Sequence, residues 1–144
     1  MIKRVDHAGL SVSNFEKSLA FYRDLLGLEV ERILEPAPER DLGKVNGIPG
    51  SKARIAHLRK GEAMLELFEY LEPRGKPLPQ GHKQADIGLI HVGFVSSDVR
   101  EDYKRLKEKG VRFLGEGPVE FRPTVWVVYF YGPDGEVVEL REIP

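Results

Sequence analysis

The sequence contains no cysteine. That absence removes disulfides, thiolate metal sites and cysteine nucleophiles together, and leaves His, Asp and Glu as the strong ligands open to a metal. Net charge is nearly absent as well. Lys and Arg number 22 against 23 Asp and Glu, a formal charge of -1, so the chain has neither a basic field for nucleic acid nor an acidic tail. No run approaches the roughly 18 apolar residues of a membrane span, and the opening Met1-Ile2-Lys3-Arg4-Val5-Asp6 lacks the apolar core of a signal peptide. The expectation is a cytoplasmic protein whose partner is a small molecule, with no nucleic acid and no membrane. At 144 residues the chain suits one domain or a compact pair of half-domains with a sizeable core.

What the chain does have is an internal repeat. His7-Ala8-Gly9-Leu10-Ser11-Val12-Ser13-Asn14 returns as His91-Val92-Gly93-Phe94-Val95-Ser96-Ser97-Asp98. Gly61-Glu62-Ala63-Met64-Leu65-Glu66-Leu67 is answered by Gly135-Glu136-Val137-Val138-Glu139-Leu140 with one residue of slippage. Each copy therefore carries one histidine and one glutamate at equivalent places.

Periodicity organises both copies alike. A strand around residues 3 to 12 puts His7 on one face with Gly9 and Ser11, opposite Ala8, Leu10 and Val12. A helix follows, with Ser13 and Glu16 as a capping pair, Phe15, Leu19, Tyr22 and Leu26 at helical spacing, and Gly27 as its stop. Leu28 to Leu34 reads as a strand, Glu35 to Ser51 as a long loop of the lid or binding kind, and Lys52 to Arg59 with Glu62 to Tyr70 as a hairpin. The stretch 72–86 reads as a linker between a first module, 1–71, and a second, 87–144. The second module repeats the plan: strand Leu89 to Val95, a helix Val99 to Lys109 capped by Asp98, then strands Val111 to Leu114, Thr124 to Tyr131 and Glu136 to Ile143. The fold class is α+β, two βαβββ modules whose sheets would form a curved surface around a cavity.

Alternation places Leu65 and Leu67 toward the helix and Glu66 opposite them, and likewise Glu139 opposite Val138 and Leu140. Both glutamates then share a face with both histidines. Either type alone reads as a structural histidine or a solvated glutamate. Recurrence at equivalent positions makes His7, Glu66, His91 and Glu139 a candidate metal set, because buried charges need pairing and a divalent cation supplies it. Two imidazoles and two carboxylates give a neutral shell suited to Mn, Fe, Co, Ni or Zn, with positions left open for substrate. On a four-residue turn at Gly132-Pro133-Asp134-Gly135, Trp126 and Phe130 would line the cavity beside Glu139. His57 would share the face of Glu66, and Arg122 could bind a substrate anion.

The motifs Asp6-His7, Phe21-Tyr22-Arg23-Asp24-Leu25-Leu26-Gly27-Leu28, Leu65-Glu66-Leu67-Phe68, His91-Val92-Gly93-Phe94, Gly132-Pro133-Asp134-Gly135 and Glu139-Leu140 together resemble the vicinal oxygen chelate superfamily. This is the group of glyoxalase I, methylmalonyl-CoA epimerase, extradiol dioxygenases and the fosfomycin and bleomycin resistance proteins. The resemblance implies the glyoxalase/bleomycin resistance fold, one divalent metal ion held by His7, Glu66, His91 and Glu139, and a small substrate with adjacent oxygens. It implies proton movement through an enolate or enediolate, with Glu139 favoured slightly over Glu66 as the base. Such an enzyme would be an isomerase or lyase, and a homodimer. Two alternatives stay open: an Fe(II) extradiol-type dioxygenase using His7, His91 and Glu139, and a metal-free small-molecule binding or resistance protein.

Overall fold

A computed structural model describes residues 1–144 as two compact units, Met1–Pro77 and Leu78–Pro144. In the first unit, strand β1 (His7–Ser11) leads into helix α1 (Phe15–Leu19), which widens into a π-helical segment (Ala20–Leu25). Then come β2 (Glu29–Leu34), the short helix α2 (Leu42–Asn46), β3 (Lys52–Lys60) and β4 (Ala63–Glu72). The second unit runs β5 (Val92–Val95), α3 (Val99–Glu108), β6 (Val119–Arg122), β7 (Val125–Tyr131) and β8 (Val137–Glu142). Each unit has one four-stranded mixed sheet, of order β1-β4-β3-β2 and β5-β8-β7-β6 respectively. The only parallel pairings are β1 with β4 and β5 with β8. Both units are thus βαβββ modules.

Each sheet has one face packed on its helix. Phe15, Leu19 and Tyr22 bury against Ala56, Leu58, Leu65 and Leu67 in the first unit, and Val99 and Leu106 lie in the second core with Val128, Phe130, Val138 and Leu140. Strand alternation does the sorting, since even positions of β8 enter the core while Glu139 and Arg141 point the other way. The helices start differently from expectation in one detail. Asn14, not Ser13, caps α1, its Oδ1 accepting from the Lys17 amide, whereas Asp98 caps α3 as its sequence suggests. Gly27 ends the first helix in the left-handed region, as its place after Leu26 requires.

A second carboxylate ties each helix to its sheet. The Glu69 carboxylate accepts from the Phe15 amide, and Glu142 Oε2 accepts from the Val99 amide at 3.0 Å. Both stand three residues past the repeated glutamate, in Glu66-Leu67-Phe68-Glu69 and Glu139-Leu140-Arg141-Glu142, so strand alternation sends the second glutamate of each pair to the helix side.

Two sequence expectations are corrected. The segment Val111 to Leu114 contributes only a single bridge, Phe113 to Phe130, and the edge strand is instead β6, Val119–Arg122. The β7–β8 turn is longer than four residues: Tyr131 pairs with Val137, leaving residues 132–136 as the loop, with Glu136 folded into it and accepting the Asp134 amide at 2.9 Å. The one-residue change reverses the faces of β7 relative to Glu139. Phe130 is fully buried on the helix side, and Trp126 lies there too, with the Arg100 guanidinium of α3 4.7 Å over its ring. Neither lines a cavity with Glu139; Tyr129, paired directly with Glu139, takes that side.

Replacing Glu69 or Glu142 by Ala is expected to lower stability by about 1 kcal/mol each, through loss of a charge-assisted helix N-terminal bond. Urea unfolding of both variants checks this.

Candidate functional site

His7 and Glu66 reach the same face because β1 and β4 run parallel with Gly9 opposite Glu66, which sets His7 one step along on the same side. His7 Nε2 lies 3.1 Å from Glu66 Oε2. The second unit builds its pair the same way. Gly93 stands opposite Glu139, and His91 Nε2 lies 2.8 Å from Glu139 Oε2. The glycine two residues past each histidine keeps the strand beside the carboxylate free of a side chain; in the second unit an added Cβ would sit 3.7 Å from Glu139 Oε2.

The other nitrogen of each histidine is also occupied. His7 Nδ1 is 3.1 Å from Asp6 Oδ2, and that hydrogen bond, helped by Arg4, holds the Asp6 carboxyl below the usual carboxylate range. His91 Nδ1 is 3.0 Å from Gln84 Oε1, whose orientation is set by its own amide nitrogen donating to the Ile90 carbonyl at 2.8 Å. With Gln84 offering an oxygen, His91 carries a proton on Nδ1 and directs Nε2 at Glu139.

The free oxygens of the two carboxylates have different partners. Glu66 Oε1 lies 3.0 Å from His57 Nε2, from β3, so Glu66 is flanked by two imidazoles. Glu139 Oε1 lies 3.3 Å from Arg141 Nε, a permanent cation. The Tyr129 ring stacks at a tilt 5.0 Å from His91, and burial, with the nearby Glu139 charge adding to it, pushes the Tyr129 phenol up. Tyr129 therefore stays a protonated hydroxyl. Arg122 is exposed on the edge strand β6, opposite Val125.

The sequence therefore selects two pairs that the structure brings together, His7 with Glu66 and His91 with Glu139, and places His57 correctly beside Glu66. Alternation also puts Arg141 on the face of Glu139, where its guanidinium lies, but the sequence misses Gln84 and Tyr129 as neighbours of the second pair. Gln84 lies seven residues before His91 in a stretch with no periodic signal, so nothing in the sequence marks it.

Within either unit no group of three or more His, Asp or Glu side chains converges on a metal-holding arrangement. The pairs themselves have fitting chemistry. Neighbouring ligands at right angles on an ion with bonds near 2.1 Å stand about 3.0 Å apart, which matches the Nε2 to oxygen separations of 3.1 and 2.8 Å. An imidazole nitrogen facing a carboxylate oxygen needs a proton or a metal between them, and the second nitrogen of each ring is already turned to an acceptor that favours a ligating Nε2.

The family model described as the Glyoxalase/Bleomycin resistance protein/Dioxygenase superfamily matches residues 4–140. The chain belongs to this superfamily. It is 29% identical to the ethylmalonyl-CoA/methylmalonyl-CoA epimerase of Cereibacter sphaeroides, covering 99% of this chain and 100% of that one. It is also 29% identical to the metallothiol transferase FosB of Staphylococcus haemolyticus, covering 98% of this chain and 84% of that one. The glyoxalase family protein APC24694 from Bacillus cereus has the same fold, with a TM-score of 0.87 at 23% identity over 99% of this chain and 95% of its own. Members of the superfamily related to this chain include enzymes, and no helix of the chain is long and apolar enough to cross a membrane.

Gln84→Leu removes the acceptor of His91 Nδ1. Proton NMR is expected to show the His91 Nδ1–H signal, protected by Gln84 in the unaltered chain, lost to fast solvent exchange in the variant.

Proposed function

We propose that the chain is a divalent-metal-dependent enzyme of the superfamily that moves a proton on a small substrate with two adjacent oxygens, an isomerase, epimerase or lyase. The observation that carries this reading is the repeated His–Glu pair, each histidine with its second nitrogen held by Asp6 or Gln84. The full-length similarity to an acyl-CoA epimerase supports the same reaction class.

His7, Glu66, His91 and Glu139 would hold the metal, drawn from one chain or from two copies in a homodimer. A bound divalent ion would polarise the adjacent substrate oxygens and make the neighbouring C–H more acidic. Glu66 and Glu139 would be the carboxylates that take and return that proton. They are not interchangeable: Arg141 pins one oxygen of Glu139 with a cation that cannot accept a proton, whereas His57 beside Glu66 can. Glu66 is therefore assigned the larger part of proton movement, and Glu139 that of a fixed ligand. Tyr129, protonated and beside His91, can donate to a substrate oxygen. A second copy is supported by Val119 and Phe121, which stand exposed on the edge strand β6 with Phe121 79% accessible.

The test combines elemental analysis of untagged protein, metal titration in weak buffer, and solvent deuterium incorporation into thioesters and 2-hydroxy or 2-oxo acyl compounds, followed by NMR. Metal uptake is expected to release protons as Nε2 hydrogens are displaced, and exchange to require metal. Glu66→Gln is expected to lower exchange by about 100-fold or more with metal retained, and Glu139→Ala to lose metal. Oxygen uptake with catechols under Fe(II) would replace this reading with a dioxygenase. Failure to hold any divalent ion would leave a binding protein.

A further inference from the structure

The residues between β2 and β3 border a half-open cavity of about 540 Å³ that the reaction proposed above does not use. Its floor is Leu34, Ala53 and Ile55, and its roof is Pro36, Leu42 and Val45. The floor belongs to the reactive face. Ala53, Ile55 and His57 alternate along one side of β3, where they pair with Tyr70, Phe68 and Glu66 of β4. Ile55 thus stands one side-chain step, about 7 Å along the strand, from the imidazole that touches Glu66.

The roof is built to stay in place. Asn46, the last residue of α2, donates through Nδ2 to Ser51 Oγ at 3.0 Å and to the Tyr70 hydroxyl at 3.3 Å, and its Oδ1 accepts from the Ile48 amide at 2.9 Å. The Arg40 guanidinium reaches back to the Glu35 carbonyl. Gly43 is packed so closely that a Cβ there would lie 2.6 Å from the Ile48 carbonyl oxygen, so the loop closes on itself with no room for a side chain. Proline at positions 36 and 38 further limits its freedom. Val45 is 84% exposed although it lines the cavity, so its apolar side chain stands in solvent beside the opening. A preformed apolar hollow of this size is that of a small-molecule site, and the 17 residues from Glu35 to Ser51 between β2 and β3 shape it.

We infer that this cavity receives the hydrocarbon part of the substrate, an aliphatic acyl or alkyl chain, while the oxygen-bearing end lies toward Glu66. The assignment rests on the proposed function for the oxygen-bearing end and stands on the cavity for the chain. It narrows the substrate from any vicinal-oxygen compound to one with an apolar substituent several carbons long. Arg40 and Lys52 at the rim are both engaged, with the Glu35 carbonyl and with Glu72 respectively, so the mouth offers no dedicated anion clamp at this end.

The experiment is calorimetric titration of straight-chain 2-oxo acids from three to ten carbons into the metal-loaded and the chelator-treated full-length chain. Affinity is expected to rise about fourfold for each added methylene, the equivalent of about 0.8 kcal/mol, until the cavity is filled. Ala53→Phe, which fills the floor, and Val45→Asp, which charges the roof from an exposed position and spares the core, are both expected to flatten the series while leaving the three-carbon member unaffected. A flat series in the unaltered protein, no binding up to ten carbons, or a chain-length gain that both variants retain would overturn the inference. The two readings fail separately. A gain with chain length that is indifferent to metal keeps the cavity and removes the metal-held end; a metal-dependent affinity with no gain keeps the metal and removes the cavity.

Discussion

Glu139 is 8% exposed, and a carboxylate that deeply placed must have both oxygens satisfied. The rest of the second unit follows from that requirement. One oxygen meets His91, the other Arg141, and His91 is in turn fixed by Gln84, whose amide is fixed by the Ile90 carbonyl. Because β5 and β8 run parallel in a register that sets Gly93 beside Glu139, backbone geometry alone delivers the histidine to the carboxylate. Each group in this chain of contacts is held by the next, so the His91–Glu139 pair is oriented before anything binds to it.

The first unit solves the same problem with other residues. Asp6, adjacent in sequence, does for His7 what the distant Gln84 does for His91, and His57 does for Glu66 what Arg141 does for Glu139. The positions His57 and Tyr129 are equivalent, each paired across the hairpin with the repeated glutamate. Two modules that are alike in backbone have thus become unlike in chemistry: one carboxylate sits between groups that exchange protons, the other against a fixed positive charge. A pseudo-symmetric frame with asymmetric neighbours suits a reaction in which one group must give or take a proton and another must hold still.

Much of this is legible in the amino-acid pattern. The βαβββ order, the helix faces, the outward direction of Glu66 and Glu139, and the place of His57 all follow from period-two and period-3.6 patterns, which are local and survive small errors in boundary. Apart from the cap of α1, which falls to Asn14 and not its neighbour Ser13, the expectations that fail turn on a non-local register. Glu136 looks like the first residue of β8 but belongs to the turn, so Tyr129 rather than Trp126 and Phe130 accompanies Glu139. Val111 to Leu114 has the composition of a strand, and only pairing along β7 decides that the edge is formed by Val119–Arg122 instead. Gln84 gives no signal at all, because a single hydrogen bond from a segment of no fixed period leaves no trace in spacing.

The sequence by itself determined the module, its duplication, and the histidine and glutamate that share one face of each sheet, because alternation along a strand is a property of the backbone and needs no knowledge of what lies opposite. Only the tertiary structure decided which oxygen faces which nitrogen, which aromatic ring stands beside His91, and that the loop between β2 and β3 borders a cavity. Those outcomes depend on hairpin register and on side chains distant in sequence meeting in space, and a one-residue change in a turn is enough to exchange one face of a strand for the other.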